Sequence, residues 1–445
     1  MSTLRITRSG PLRGKLRVPS DLQIGQEALL WAALAEGPSQ LTGLSPRADH
    51  RVLCAALRAL GVSIAEVAGG AHVQGVGLKG LKMPPGALDA GSSASTLEII
   101  TALLCAQQFG TRVEARGAAK AHSLRTLLPP LRERGAQVAG KSGDDGSLTA
   151  PVAVAPLLAD ERLLPVEIEI PNGDAATKRA LLISGLYAEG VTAIQEGLLS
   201  RDHTERALLA LGAPIETMGP LTLLDTSLAT PHFSGFSWHI PGDFSLAAYV
   251  IVLVLALPGS DVLIEGVGIN RSRTAFLDVL RHSGANIAVM PKGDTAGGEP
   301  VADIRVRASS LRGVRVMGEL ALRLLDDVPA FVALCAASKA RLSLRDADAL
   351  RAREGGLLRG VTQMLRAFGA ECTHYEDGLD VDPATRLVAT SVSADTSPSL
   401  QLLGVVLGLC AEGETRIEDA HELEAFCPGF VASLAALGAS IAETR

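Results

Sequence analysis

Aromatic side chains are scarce in this chain of 445 residues, at 3% of the sequence, while apolar residues make up 47%. Single-stranded nucleic acids are held by stacking on aromatic rings, so this scarcity speaks against such a platform. Basic excess is missing too, because the formal net charge is -7 and no long run of one sign occurs. That excludes a polybasic groove or membrane patch, leaving small molecules or proteins as the expected partners, with no nucleic acid and no membrane. The six cysteines, Cys54, Cys105, Cys335, Cys372, Cys410 and Cys427, form no Cys-x-x-Cys pair and have no histidine at metal-ligand spacing. They read as free thiols in a reducing compartment, with no metal and no cofactor expected. Apolar runs such as Tyr249 to Leu257 are too short to cross a bilayer, and the opening MSTLRITRSGPLRGKLRV alternates like a strand instead of carrying the apolar core of a signal peptide. The expectation is a cytoplasmic globular monomer, long enough for two or three domains.

What the sequence does contain is repetition. Six times an apolar helix passes a short break into a strand, and an amphipathic helix then stops at a glycine before another strand. The first copy reads EALLWAALAEGPSQLTGL and then HRVLCAALRALGVSIAEV; the last reads LQLLGVVLGLCAEGETRIEDA and then PGFVASLAALGASIAET. The stopping glycines are Gly61, Gly135, Gly212, Gly284, Gly369 and Gly438, and glycine is the expected residue for a left-handed helix C-cap. Helices apolar on every side, alternating with half-exposed strands, imply α/β units whose helices pack inside and whose sheets face water. Six units suggest two bodies of three, divided at VPSD (Val18 to Asp21) and IPGD (Ile240 to Asp243). The expected lobes are residues 20–240, and residues 1–19 with 241–445, with a ligand cleft between them.

One stretch disturbs this order. The helix beginning in SDLQIGQEALL should be buried on nearly every side, and a buried helix N-terminus is a natural anion site. Here it offers Asp21, Leu22, Gln23 and Glu27, with no cation among them.

Taken with the repeats, the phrases LDAGSSAST, GLYAEG, SRDHTERALLALG, IPGDFSLAAY, GINRSRTAFLDVLRHSGA and LRAREGG resemble the 5-enolpyruvylshikimate-3-phosphate (EPSP) synthase family over essentially the whole chain. The resemblance implies an inside-out, two-lobed α/β fold, each lobe a threefold repeat of βαβαββ-like units. It also implies enolpyruvyl transfer from phosphoenolpyruvate to shikimate 3-phosphate, the 3-phosphoshikimate 1-carboxyvinyltransferase reaction of aromatic amino acid biosynthesis. Residues carried over from the family are Asp326 as base for the 5-hydroxyl and Glu354 as acid/base. Arg201, Arg353 and Ser93 match or replace substrate ligands, Ala94 and Asp174 stand at substrate-facing positions, and Lys120 is a further cation nearby. Asp49, Gly91, Asp243 and Arg273 match positions that shape the lobes.

Elsewhere the chain departs from the pattern. The family's opening Lys, Ser and Arg are Leu22, Gln23 and Glu27; a glycine-rich-loop Arg is Glu98; the Arg of an Arg-Pro-Met motif is His122. The Gln of a Ser-Ala-Gln motif is Ala176, an Arg after the LRAREGG segment is Leu357, an Asp-His-Arg motif ends in Thr396 and Ser397, and a late Lys is Ala425. Dry anions need charge-assisted bonds. At about 1.5–3 kcal/mol each, losing roughly six such partners removes on the order of 10 kcal/mol, against about 8 kcal/mol for a micromolar ligand. Family activity is therefore expected to be weak or lost. The alternatives are a noncatalytic binding or scaffolding paralogue and the same fold acting on a less anionic small molecule. In a disused cleft, Glu27 and Glu98 would be exposed helix-face carboxylates.

Overall fold

Helices that are apolar all round have no stable place at a surface. In the structure, a computed structural model describing residues 2–143, 146–158, 161–170, 173–338, 340–347, 350, 356–393 and 397–444, they lie at the centres of two units. Unit one comprises Met1–Asp21, Pro241–Gly293 and Pro300–Arg445; unit two comprises Leu22–Ile240 and Asp294–Glu299. Each has its own apolar core. In unit two the inner helices are Leu22–Leu34, Ala94–Leu104 and Ala175–Gly185, continuously buried from Ile24, Thr96 and Thr177 onward. In unit one they are Phe244–Ala256, Val328–Ala337 and Pro398–Cys410.

Each inner helix is followed by an amphipathic one that buries a single face; Leu357–Ala367, for example, buries Leu357, Leu358, Val361, Thr362 and Leu365. The six stopping glycines all adopt positive φ, between 77° and 98°, the left-handed conformation that ends a helix without a Cβ penalty.

Among the described residues the strands form six sheets of four. In unit two these are Ser237–His239, Glu36–Thr42, Gly70–Val76 and Ser63–Val67; Leu88–Asp89, Thr111–Glu114, Leu148–Val154 and Val138–Ser142; and Glu167–Ile170, Val191–Glu196, Leu221–Asp225 and Ile215–Met218. Each contains one parallel pair and a hairpin, and alternation puts one face inward: Val191–Glu196 buries Thr192, Ile194 and Glu196. Unit one repeats the plan with strands distant in sequence. Thr3–Thr7 lies antiparallel between Glu414–Glu418 and Ile441–Thr444, with Ile6 opposite both Thr415 and Ile441. Arg13–Leu16 runs parallel to Asp261–Gly268. Among the described residues no helix is long and apolar enough to cross a membrane, and no group of three His, Cys, Asp or Glu could hold a metal ion.

Candidate functional site

The Leu22–Leu34 helix opens against a histidine. Both ring nitrogens of buried His50 meet backbone carbonyls, Nδ1 that of Ser45 at 2.9 Å and Nε2 that of Leu22 at 3.1 Å. Burial pushes its pKa down, against the pull of those two carbonyls. Gly25 makes the room, since a Cβ there would lie 2.5 Å from His50 Nε2. Leu22 and Gln23 are half-buried, and the Gln23 side-chain oxygen accepts from the Arg201 guanidinium.

One turn further in, the exposed carboxylates expected for a disused site are absent. Glu27 is 3% exposed and Glu98 7%. An ionised carboxylate is buried only when it is bonded and paired, and both have partners. Glu27 Oε1 accepts from Thr204 Oγ1 at 2.7 Å. Burial still raises its pKa, with the charge of Arg179 the largest opposing influence. Glu98 uses both oxygens: Oε1 lies 2.7 Å from His122 Nε2 and Oε2 accepts from Arg179 at 2.9 Å. The hydrogen bond to Glu98 raises the pKa of His122, outweighing the desolvation that opposes it. The three inner helices and the chain around His122 thus converge on a cluster of two carboxylates, one guanidinium and one imidazole, in which Glu98 is paired on both oxygens and Glu27 Oε2 is left without a hydrogen-bond partner.

Other carried-over residues serve the backbone. The Ser93 hydroxyl caps Ala94–Leu104 by accepting from Thr96 N–H at 3.2 Å, and Ala94 opens that helix. Asp174 caps Ala175–Gly185, accepting from Thr177 N–H at 3.0 Å and Thr177 Oγ1 at 2.8 Å, with Ala176 in the same first turn. Such caps satisfy helix donors that would otherwise be orphaned. Lys120 is exposed at the end of the short helix Gly117–Lys120. Beyond Arg201, Asp202 accepts from Arg206 at 2.8 Å, and buried His203 meets Glu299 at 2.7 Å.

In unit one, Asp326 Oδ2 accepts from Arg273 at 2.7 Å. The same guanidinium donates to the Ser245 hydroxyl at 2.7 Å, and that hydroxyl donates to Asp327 at 2.9 Å. Asp243 caps the Phe244–Ala256 helix through Ser245 N–H. The Asp326 side chain is 27% exposed, so it stays in reach of a ligand while held by a charged donor. Leu357 is 4% exposed, in the core; Ser397 precedes the Pro398–Cys410 helix, and Ala425 is half-buried in His421–Phe426. Arg353, Glu354 and Thr396 lie outside the described residues.

Several participants went unnoticed in the sequence: Arg179, Thr204, His50, and Lys178. Buried Lys178 lies 2.8 Å from Glu196 and 2.6 Å from Glu205. Desolvation pulls its pKa down, but the two carboxylates overcome it and the pKa is raised. One signal was present, because Lys178 and Arg179 sit within the apolar run that makes the third inner helix and must have acids beside them. Burial pushes the thiols of Cys54, Cys105, Cys335 and Cys410 up to about 12, leaving them unreactive.

Comparison with known proteins agrees with this architecture. The family model of EPSP synthase (3-phosphoshikimate 1-carboxyvinyltransferase) matches residues 6–434. A 3-phosphoshikimate 1-carboxyvinyltransferase of Synechococcus sp. (strain RCC307) is 36% identical over 444 residues, covering 98% of this chain and 99% of the relative. Another from Brevibacillus brevis is 32% identical over 427 residues, covering 96% and 98%. The solved structure of EPSP synthase from Acinetobacter baumannii matches 100% of both chains, with a TM-score of 0.87 at 28% identity. By sequence along nearly its whole length, and by the shared arrangement of its elements, this chain belongs to the EPSP synthase family.

Proposed function

We propose that this chain is an EPSP synthase-family protein in which enolpyruvyl transfer from phosphoenolpyruvate to shikimate 3-phosphate is weak or lost. It binds a small molecule less anionic than that pair. The observation that carries this reading is the Glu98 carboxylate, buried where the family places an arginine and bound to both Arg179 and His122. A cation already matched by a carboxylate has little attraction left for a phosphate, and the carboxylate itself repels one. Glu27 adds a second acid beside Arg179. Asp326, with Arg273 holding its carboxylate, and Glu354 are the candidate acid/base groups. Arg201, Arg353 and Lys120 are the candidate cations of a rebuilt site.

The direct experiment is phosphate release from phosphoenolpyruvate in the presence of shikimate 3-phosphate, beside an active family member. The expected rate is lower by at least about a thousandfold, roughly 4 kcal/mol of lost transition-state stabilisation; a rate within tenfold of that standard refutes the reading. Thermal shift against neutral and singly charged metabolites then finds the ligand, since only a compound bound by the native state raises the melting temperature.

A further inference from the structure

The inner helices of unit two end at a cavity on the side opposite to their Ser93 and Asp174 caps. It measures about 620 Å3, a size that holds small organic ligands. Its walls come from the chain just past Ala94–Leu104 and Ala175–Gly185, and from the turns after Gly70–Val76 and Leu221–Asp225. Each of those two helices has 11 residues, so about 16 Å of helix lies between the cavity and their first turns. The floor is apolar. Leu78, Leu157 and Ala188 are 6–8% exposed, and the rings of Phe109 and Tyr187 stand half-buried in the wall. Burial raises the pKa of the Tyr187 hydroxyl against the pull of the Gln107 side chain, so the phenol adds no charge.

The rim carries both signs, on the exposed side chains of Lys79, Glu161, Arg162 and Glu189. Two of the four are already engaged. Glu161 Oε2 accepts from Leu158 N–H at 2.9 Å, and Arg162 Nη1 donates to the Glu161 carbonyl at 2.9 Å. Among the described residues Lys79 and Glu189 enter no ion pair and no side-chain hydrogen bond. One uncommitted ammonium and one uncommitted carboxylate above an apolar, aromatic floor complement a molecule with both charges at one end and a large apolar group at the other. A ligand with a single charge would cover one of these two groups without pairing it, which costs affinity. Glu189 comes four residues after Ala175–Gly185 ends, and the partial negative charge of a helix C-terminus reinforces its preference for a cation.

We propose that this cavity binds an α-amino acid with a large apolar side chain, its ammonium on Glu189, its carboxylate on Lys79 and its side chain against Leu78, Phe109, Leu157 and Tyr187. The site is separate from the cluster of Glu27, Glu98, Arg179 and His122, and its occupation needs no enolpyruvyl chemistry.

The test is calorimetric titration of the full chain at about pH 7, where both ends of an amino acid are charged. Four compounds divide the recognition into parts: L-phenylalanine, phenethylamine without the carboxylate, phenylpropionate without the ammonium, and glycine without the apolar group. L-phenylalanine should bind with a Kd below about 1 mM. Phenethylamine and phenylpropionate should each bind about three- to fivefold more weakly, the worth of one exposed ion pair, and glycine should give no binding heat. The exposed rim residues can be changed without disturbing the core. Lys79→Met should lower L-phenylalanine to the level of phenethylamine and leave phenethylamine itself unchanged; Glu189→Gln should do the same with respect to phenylpropionate. Ala106→Trp, which sets a bulky ring in the cavity wall, should abolish binding of all three aromatic compounds. The proposal is overturned if L-phenylalanine gives no heat up to about 10 mM, if a compound lacking one charge binds as tightly, or if both rim variants bind L-phenylalanine like the native chain. Turnover of the family substrates would refute the loss of activity without altering these titrations.

Discussion

Arg179 serves two buried carboxylates and Glu98 serves one buried guanidinium, so removing the first must cost more than removing the second. In Arg179→Met, Glu98 keeps only the half-exposed His122, and Glu27 keeps the Thr204 hydroxyl but loses its principal counter-charge. Breaking a buried pair this way costs about 3–5 kcal/mol. In Glu98→Gln, Arg179 still faces Glu27 and the amide oxygen still accepts a bond. That loss is one charged hydrogen bond weakened to a neutral one, about 1–2 kcal/mol. Both tryptophans, Trp31 and Trp238, lie in unit two, so urea unfolding followed by tryptophan fluorescence reports on the unit that holds the cluster. The pH dependence adds a second check. Glu27 has a raised pKa in the folded state; the penalty for its charged form applies above that pKa and disappears as pH falls through it. The gap between the two variants should therefore narrow on acidification from about pH 7 to about pH 5. Equal costs, a reversed order, or a gap that widens in acid would refute the assignment of Arg179 as shared counter-charge.

Gly25→Ala should destabilise unit two by about 1–3 kcal/mol despite the better helix propensity of alanine, because the new Cβ lands on His50. His50→Ala in the same chain should recover most of the loss, a coupling that a double-mutant cycle in urea measures. The stability contributed by His122 pairing with Glu98 should be present below about pH 6.5 and lost as pH rises through the raised folded-state pKa. Melting temperatures of the native chain and His122→Asn should therefore differ more at about pH 6 than at about pH 8.5. The triple change Leu22→Lys, Gln23→Ser, Glu27→Arg should not give substantial phosphate release, since it sets a guanidinium beside Arg179 and leaves Glu98 in place. Robust turnover by that variant would contradict a loss spread over many positions.

The fold was legible because its signals are local and repeated. Leu22–Leu34 and Phe244–Ala256 are apolar on every face, which only an interior can accommodate, and the glycines from Gly61 to Gly438 mark helix ends whose left-handed φ any sequence reader expects. Family membership was legible for the same reason, from phrases such as SRDHTE and IPGDFS. The cluster was not, because its energetics depend on neighbours remote in the chain. Glu98 and Arg179 are 81 residues apart, and Glu27 and Thr204 are 177 apart. Read singly, Glu98 was a reversed charge on a helix face; beside Arg179 it is half of a buried ion pair. Ser93 and Asp174 carried a different ambiguity, since a residue at a helix start can touch a ligand or cap the helix, and both caps are made here.

The strand Thr3–Thr7 closes a sheet whose other members lie more than 380 residues downstream, Ser391–Val392, Glu414–Glu418 and Ile441–Thr444. During synthesis, then, Thr3–Thr7 leaves the ribosome long before its partners, with its edges unpaired and its apolar residues Leu4 and Ile6 uncovered. Unit two, whose sheets are drawn from Glu36 to His239, has its partners in hand when little more than half the chain is made. Nascent chains arrested near residue 310 should yield a protease-resistant core from unit two, while everything N-terminal to Leu22 is still cut. A chain missing only its last ten residues loses Ile441–Thr444 and leaves that earliest strand with an open edge, the kind of surface that chaperones hold and that seeds aggregation.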